Sequence, residues 1–361
     1  MLDRILEQFG LTLKNGVMVI DVEELAEWKT PPFPPTLPAV VLLTNQGNDA
    51  VLSSLKGLLL ANYPVDHQID VLSEGVVRPC VLCNVDGQEH IQAIHVPALG
   101  ELNSSEMFQN IIARLRAPDG CPWDREQTHQ SLKMFLLEEA YEMLDALDDG
   151  DMQAVKEELG DVLLQIYLHA QIATEKGEFS LGDVFDTISQ KMVRRHPHVF
   201  GAVEVNGDVG QVLNNWQEIK AKEREENGAN GHKGTLDGVS TQLPALMVAQ
   251  QYQRRAELNG FQWESKEQIL AKILEEIGEI AALEADDGDG LAEEFGDLLF
   301  ALVNLITWYG LEAEFVLRDA NKKFLQRFSK MERLLAGRET TLRRLTAKEQ
   351  ISLWEQVKTS Y

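Results

Sequence analysis

Apolar and polar positions follow two rhythms along this chain, and the change falls near residue 100. Before it, short apolar runs recur. Val17-Met-Val-Ile-Asp-Val22, Ala39-Val-Val-Leu-Leu43, residues 69–72 and residues 80–83 predict strands. Residues 49–61 have helical spacing, and Pro31-Pro-Phe-Pro-Pro35 connects the first two strands. Asp86-Gly87 marks a turn. This reads as a small α/β unit with no glycine-rich phosphate loop and no catalytic cluster.

From Ser104 onward the period is helical. Helices are expected over residues 107–116, over two acid-rich runs, and over residues 181–195, where Pro197 stops the last of them. Thr128 or Ser131 offers an N-cap for the first acidic helix. In that helix Glu139 and Glu142 stand at i and i+3, interleaved with Leu136, Leu137, Ala140 and Leu144. Glu158 and Asp161 repeat the spacing among Leu159, Val162, Leu163 and Ile166. The acids should therefore edge a packed helix pair. Asp148-Asp-Gly-Asp151 separates the two helices.

The same block returns near the C-terminus. Residues 243–258 restart helix after a short helix around Trp216 and a polar, glycine-rich linker over residues 225–234. Glu138, Glu139 and Glu142 then map to Glu275, Glu276 and Glu279, and Glu158 and Asp161 map to Glu294 and Asp297. Asp286-Asp-Gly-Asp-Gly290 occupies the gap as before. Gly160 and Gly296 each precede the aspartate and suggest close helix approach. Two copies of one helical unit are the simplest account.

Composition narrows the chemistry. The 361 residues suffice for two or three domains, and a net charge of −25 leaves no footprint for nucleic acid or an anionic membrane. No run approaches a transmembrane span, the N-terminus has no signal-peptide pattern, and three cysteines form no disulfide framework. A cytoplasmic protein is expected. Cys80 and Cys83 read as buried structural thiols.

Four carboxylates at close quarters repel unless a cation joins them. Ligation by oxygen alone favours Mg²⁺ or Mn²⁺ over zinc. A basic cluster closes each copy: Lys191, Arg194 and Arg195 in the first, Lys323 and Arg327 in the second. Those side chains either hold phosphates of a polyphosphate substrate or compensate a helix dipole. His196 and His198 serve either a phosphate or base contact, or a structural turn. Trp123 and Asp124 read better as a buried staple than as a base-stacking wall.

The quoted acids now combine with Cys121-Pro-Trp-Asp-Arg-Glu-Gln-Thr-His129, Arg194-Arg-His-Pro-His-Val-Phe200, Leu236-Asp-Gly-Val239, Leu243-Pro-Ala-Leu246, Gly260-Phe-Gln-Trp263 and Ala320-Asn-Lys-Lys-Phe324. Together they resemble the MazG nucleoside triphosphate pyrophosphohydrolases over about residues 101–361. The resemblance implies a mainly α protein, with all-α domains of four-helix-bundle architecture at 101–225 and 226–361. It implies Mg²⁺-dependent hydrolysis of a nucleoside triphosphate to monophosphate and pyrophosphate, of broad specificity, by a homodimer. The ligands implied are Glu139, Glu142, Glu158 and Asp161, and Glu276, Glu279, Glu294 and Asp297. Lys191, Arg194, Arg195, Lys323 and Arg327 would contact phosphate, and Glu138 and Glu275 are placed with the catalytic groups.

Gln326 stands where copy one has Arg194, and Gly278 stands for Tyr141, which opens the second pocket. The first departure weights the reading towards copy one. Residues 1–100 are similar to the second half of a tetrapyrrole methylase domain, through Pro38-Ala-Val-Val-Leu42, Tyr63-Pro-Val-Asp-His67 and His95-Val-Pro-Ala-Leu99, and imply an inactive remnant. Two alternatives stay open: a dUTP- or dCTP-specific pyrophosphatase, and a helical interaction protein with vestigial catalysis.

Overall fold

The computed structural model describes residues 2–12, 16–43, 49–227, 234–284, 287–337 and 341–358. Two compact units divide the chain, Met1–Gly207 and Asp208–Tyr361. The protein is mainly helical with one small mixed sheet. Among the described residues no single helix is long and apolar enough to cross a membrane.

The first unit begins with α1 (Leu2–Gln8), β1 (Met18–Asp21), β2 (Ala39–Leu42), α2 (Asp49–Leu59), β3 (Gln68–Ser73), β4 (Val76–Val81) and β5 (Ile91–Val96). The sheet order is β1-β2-β5-β3-β4, with β1 and β2 parallel and the other pairs antiparallel. Leu52, Leu55 and Leu59 of α2 bury one sheet face against Val41, Ile69 and Ile94. Leu6 of α1 covers Val40, Leu72 and Ala93 on the other. Each such leucine contributes on the order of 2 kcal/mol.

The central strand β5 was not expected, because Gln92 and His95 interrupt its apolar pattern. His95 is nonetheless buried, with Nδ1 3.0 Å from Asp70 Oδ2 of its cross-strand partner. The strand expected over residues 80–83 ends at Val81 instead. Cys83 lies in a 3₁₀ turn and is exposed, and Cys80 is only half-buried. The buried-thiol reading therefore fails for Cys83.

Helices follow: α3 (Ser105–Arg116), α4 (Pro122–Glu126), α5 (Leu132–Asp149), α6 (Met152–Lys176), α7 (Leu181–Arg195) and α8 (Pro197–Phe200). Ser104 caps α3 by accepting from Met107 N at 3.1 Å. At the start of α5, Ser131 N donates to Thr128 Oγ1 and Thr128 N to Ser131 Oγ, so both candidate caps take part. Between α5 and α6 the chain reverses within two residues. Gly150 adopts φ 70°, the left-handed cap that glycine supplies, and Asp151 accepts from Gln153 N and Ala154 N to start α6. Ser180 and Asp183 close a reciprocal capping box at α7.

The second unit holds α9 (Val209–Asn227), α10 (Ala245–Leu258), α11 (Lys266–Ala282), α12 (Gly288–Trp308), α13 (Ala313–Ala336) and α14 (Ala347–Lys358). The short helix expected around Trp216 is thus 19 residues long and absorbs the start of the expected linker. The middle of that linker, residues 228–233, and Asp286 lie outside the described residues. Gln250 joins α10 to the start of α13, donating to Leu311 O at 2.7 Å and accepting from Ala313 N at 2.9 Å.

Candidate metal and nucleotide site

Tight reversals lay the acidic helices side by side, and three carboxylates converge in each copy. Oxygens of Glu139, Glu158 and Asp161 lie within 4.8 Å of one another, as do those of Glu276, Glu294 and Asp297. Glu142 and Glu279 fall outside these trios but border them. Glu142 helps push Glu139 and Glu158 up, and Glu279 helps push Glu294 up. The donors are all oxygen, on two helices, half-buried in part. That set fits a hard divalent ion such as Mg²⁺ or Mn²⁺.

Electrostatics separate the copies. Burial, then Asp161, Glu142, Glu158 and Glu138, hold the Glu139 carboxyl above the usual range. Burial and then Glu142, Asp161 and Glu157 do the same for Glu158. In copy two the matching Glu276 is lowered, chiefly by a hydrogen bond from Lys272. Lys272 Nζ lies 2.7 Å from Glu276 Oε1 and 2.8 Å from Glu275 Oε1. Those contacts hold the ammonium above its ordinary range. Sequence reading passed over Lys272, although its i, i+3 and i+4 spacing to the two acids was visible.

Copy two also owns a cavity of about 730 Å³ reaching from Glu276 and Asp297 to the rings of Tyr252, Phe261, Trp263, Phe300 and Trp308. Matching the copies on their tryptophans shows how the residues at this place differ. Arg116 stands seven residues before Trp123, and Ala256 stands seven before Trp263. Arg116 binds Glu175 through two hydrogen bonds of 2.9 and 2.8 Å and donates to the carbonyls of Asp124 and Gln127. Ten residues after Glu158, Leu168 is buried in the first core, whereas Asn304 lines the cavity ten after Glu294. A cavity of about 870 Å³ lies against the proline connector and the start of α3, and no residue of either trio lines it.

Several expectations need correction. A Cβ on Gly160, Gly296 or Gly278 would meet nothing within 4 Å, so none of the three marks close helix approach within the chain. Gly278 does not line the cavity; Ala256 and Asn304 do. Trp123 is no buried staple: it is 54% exposed and meets Phe135 edge-on at 6.0 Å. Arg116 does the stapling. His196 supports the turn, its Nδ1 lying 2.7 Å from Met192 O.

Arg194 is exposed, and Lys191 and Arg195 are half-buried, at the C-terminal end of α7. In copy two the cation on Glu276 is Lys272, while Arg327 lies over the Trp354 ring at 5.9 Å and Lys323 is exposed.

Comparison with known proteins identifies the domain in which each trio lies. The MazG nucleotide pyrophosphohydrolase domain matches residues 127–200 and 264–331, each spanning one trio. The nucleoside triphosphate pyrophosphohydrolase/pyrophosphatase MazG of Thermotoga maritima is 42% identical over 253 residues, 70% of this chain and 95% of its own length. The nucleoside triphosphate pyrophosphohydrolase of Escherichia coli K12 is 40% identical over 261 residues, 71% of this chain and 98% of its own. The uncharacterized Bacillus subtilis protein YabN is 38% identical over 320 residues, 85% of this chain and 64% of its own. The chain belongs to the MazG nucleotide pyrophosphohydrolase family.

Proposed function

We propose that this hydrolase cleaves nucleoside triphosphates between the α and β phosphates in a Mg²⁺-dependent reaction, over several bases, releasing monophosphate and pyrophosphate. One observation carries the reading: in copy two an oxygen trio opens directly onto an aromatic-walled cavity sized for a nucleoside. A bound divalent ion supplies charge neutralisation at the phosphates and an activated water. The carboxylates Glu276, Glu294 and Asp297 would hold that ion, with Glu279 behind them, and Glu139, Glu158, Asp161 and Glu142 would do so in copy one. Trp263 and Trp308 receive a base by stacking, which every base can satisfy, and this supports broad specificity.

Lys323 and Arg327, and Lys191, Arg194 and Arg195, are proposed for the outer phosphates. Glu138 and Glu275 are proposed as catalytic carboxylates beside the trios. Copy two is the better-formed nucleotide site, because an aromatic-walled cavity adjoins its trio.

A cytoplasmic homodimer completes the proposal. Leu136, Leu163 and Ile166 in one acidic helix pair, and Leu274, Leu299 and Leu302 in the other, are exposed. Each pair is half of a four-helix bundle, and a second copy would cover it. The organisation proposed is an N-terminal α/β part to about residue 100 and two family domains at 101–225 and 226–361.

Incubation with a panel of nucleoside triphosphates and Mg²⁺ should release pyrophosphate. Orthophosphate alone, or indifference to chelator, would overturn the reading. The double variant Glu139→Gln, Glu276→Gln should lose at least about a hundredfold in kcat/KM, in keeping with loss of a preorganised charge at the reacting centre. Full retention would remove both acids from the site.

A further inference from the structure

Lys272 is a charged residue that the reaction scheme leaves unused. Its ammonium touches Glu276, a carboxylate only 2% exposed, and also Glu275. It lines the cavity between the trio and the rings of Trp263 and Trp308. Four residues before Glu139, copy one has Phe135 at the matching position, packed against the first helical core. The trio of copy two therefore carries a built-in counter-ion that the trio of copy one does not have in that place.

An ammonium and a divalent ion on the same buried carboxylate repel strongly, even at the effective dielectric of about 20 that suits protein sites. The repulsion is relieved when an anion arrives to take the ammonium. The anion that enters this cavity is the phosphate chain of a nucleotide, for which a lysine acts as a point charge. A flexible four-carbon stem allows the ammonium to turn from one partner to the other.

We infer that Lys272 is a resident counter-ion of the second site: it holds Glu276 while the site is free, opposes a divalent ion entering alone, and passes to the substrate's phosphate when ion and nucleotide enter together. Copy two thus takes metal and nucleotide as a pair. The inference rests on the metal reading proposed above. Lys272 is a positioning residue for the free site, acting through Glu276.

The test uses the full chain with copy one silenced by Glu139→Gln and Asp161→Asn, so that Mn²⁺ titration followed by electron paramagnetic resonance reports copy two. Removing the competing charge with Lys272→Met should tighten binding of Mn²⁺ alone about tenfold. At saturating Mn²⁺ the same variant should raise KM for the nucleoside triphosphate about tenfold, with kcat changed less. Lys272→Arg keeps the charge and should restore both values towards the parent. The opposite movements distinguish a counter-ion from a merely structural lysine, whose loss would weaken both. Lys272→Gln repeats the measurement should the methionine variant not fold.

Unchanged or weaker Mn²⁺ binding in the charge-removing variants overturns the inference. A parent that binds no Mn²⁺, even with a non-hydrolysable nucleoside triphosphate present, overturns the metal reading itself and the inference with it.

Discussion

Glu139 and Glu276 occupy the same place in the same motif, yet their surroundings push them in opposite directions. Burial and neighbouring acids raise the first, and Lys272 lowers the second. A raised carboxyl binds its proton more readily in the folded chain than in the unfolded one. Folding at neutral pH therefore carries a cost that fades as pH falls through the raised carboxylate range. A divalent ion at the trio removes that cost only where the acids are ionised. Mg²⁺ should accordingly raise Tm more at pH 7 than at pH 5, as read by calorimetry with and without chelator. Equal rises at both pH values would argue against ion binding at the copy-one acids. The acids themselves were legible from their i, i+3 spacing, which is local. The weight of Lys272 was not, because it depends on Glu276 being buried.

At the scale of elements, each helix pair is set by short-range signals. Gly150 and Asp151 end one helix and begin the next, and Ser265 and Asp287 cap α11 and α12 in the second copy. These devices were readable as Asp/Gly runs between apolar periods. The cavity of copy two was not readable, since its wall gathers side chains from α10, α11 and α12 and the loops between them. Ala256→Arg should fill the cavity of copy two, because Ala256 forms part of its wall. Filling should raise KM for nucleoside triphosphates at least about tenfold while the Glu276 trio stays intact, since lost stacking is worth on the order of 1–3 kcal/mol. Steady-state kinetics in a background with Glu139→Gln checks this, and an unchanged KM would show that the base does not enter there. Trp123 belongs to the same lesson. Its motif suggested a buried anchor, but Arg116 supplies the anchoring and leaves the indole 54% exposed.

At the scale of the whole molecule, the exposed leucines of both acidic helix pairs support the proposed homodimer. Light scattering should give twice the mass of one chain, and paired substitution of Leu163 and Leu299 by Glu should shift it towards one. A monomeric parent would remove the homodimer from the proposal. The sequence by itself determined what depends on neighbours along the chain: helical periods, caps, the i, i+3 acids, their repetition, and the family frame around them. It also determined the switch near residue 100 from a small α/β unit to helices. Tertiary structure decided what depends on residues far apart or on small differences in volume. It made β5 a central strand, exposed Cys83, and left Gly160 and Gly296 without close neighbours. It set Ala256 and Asn304 in the wall of the second cavity. It set Lys272 against a buried acid, because burial and cavity volume are sums over many distant side chains that no local pattern encodes.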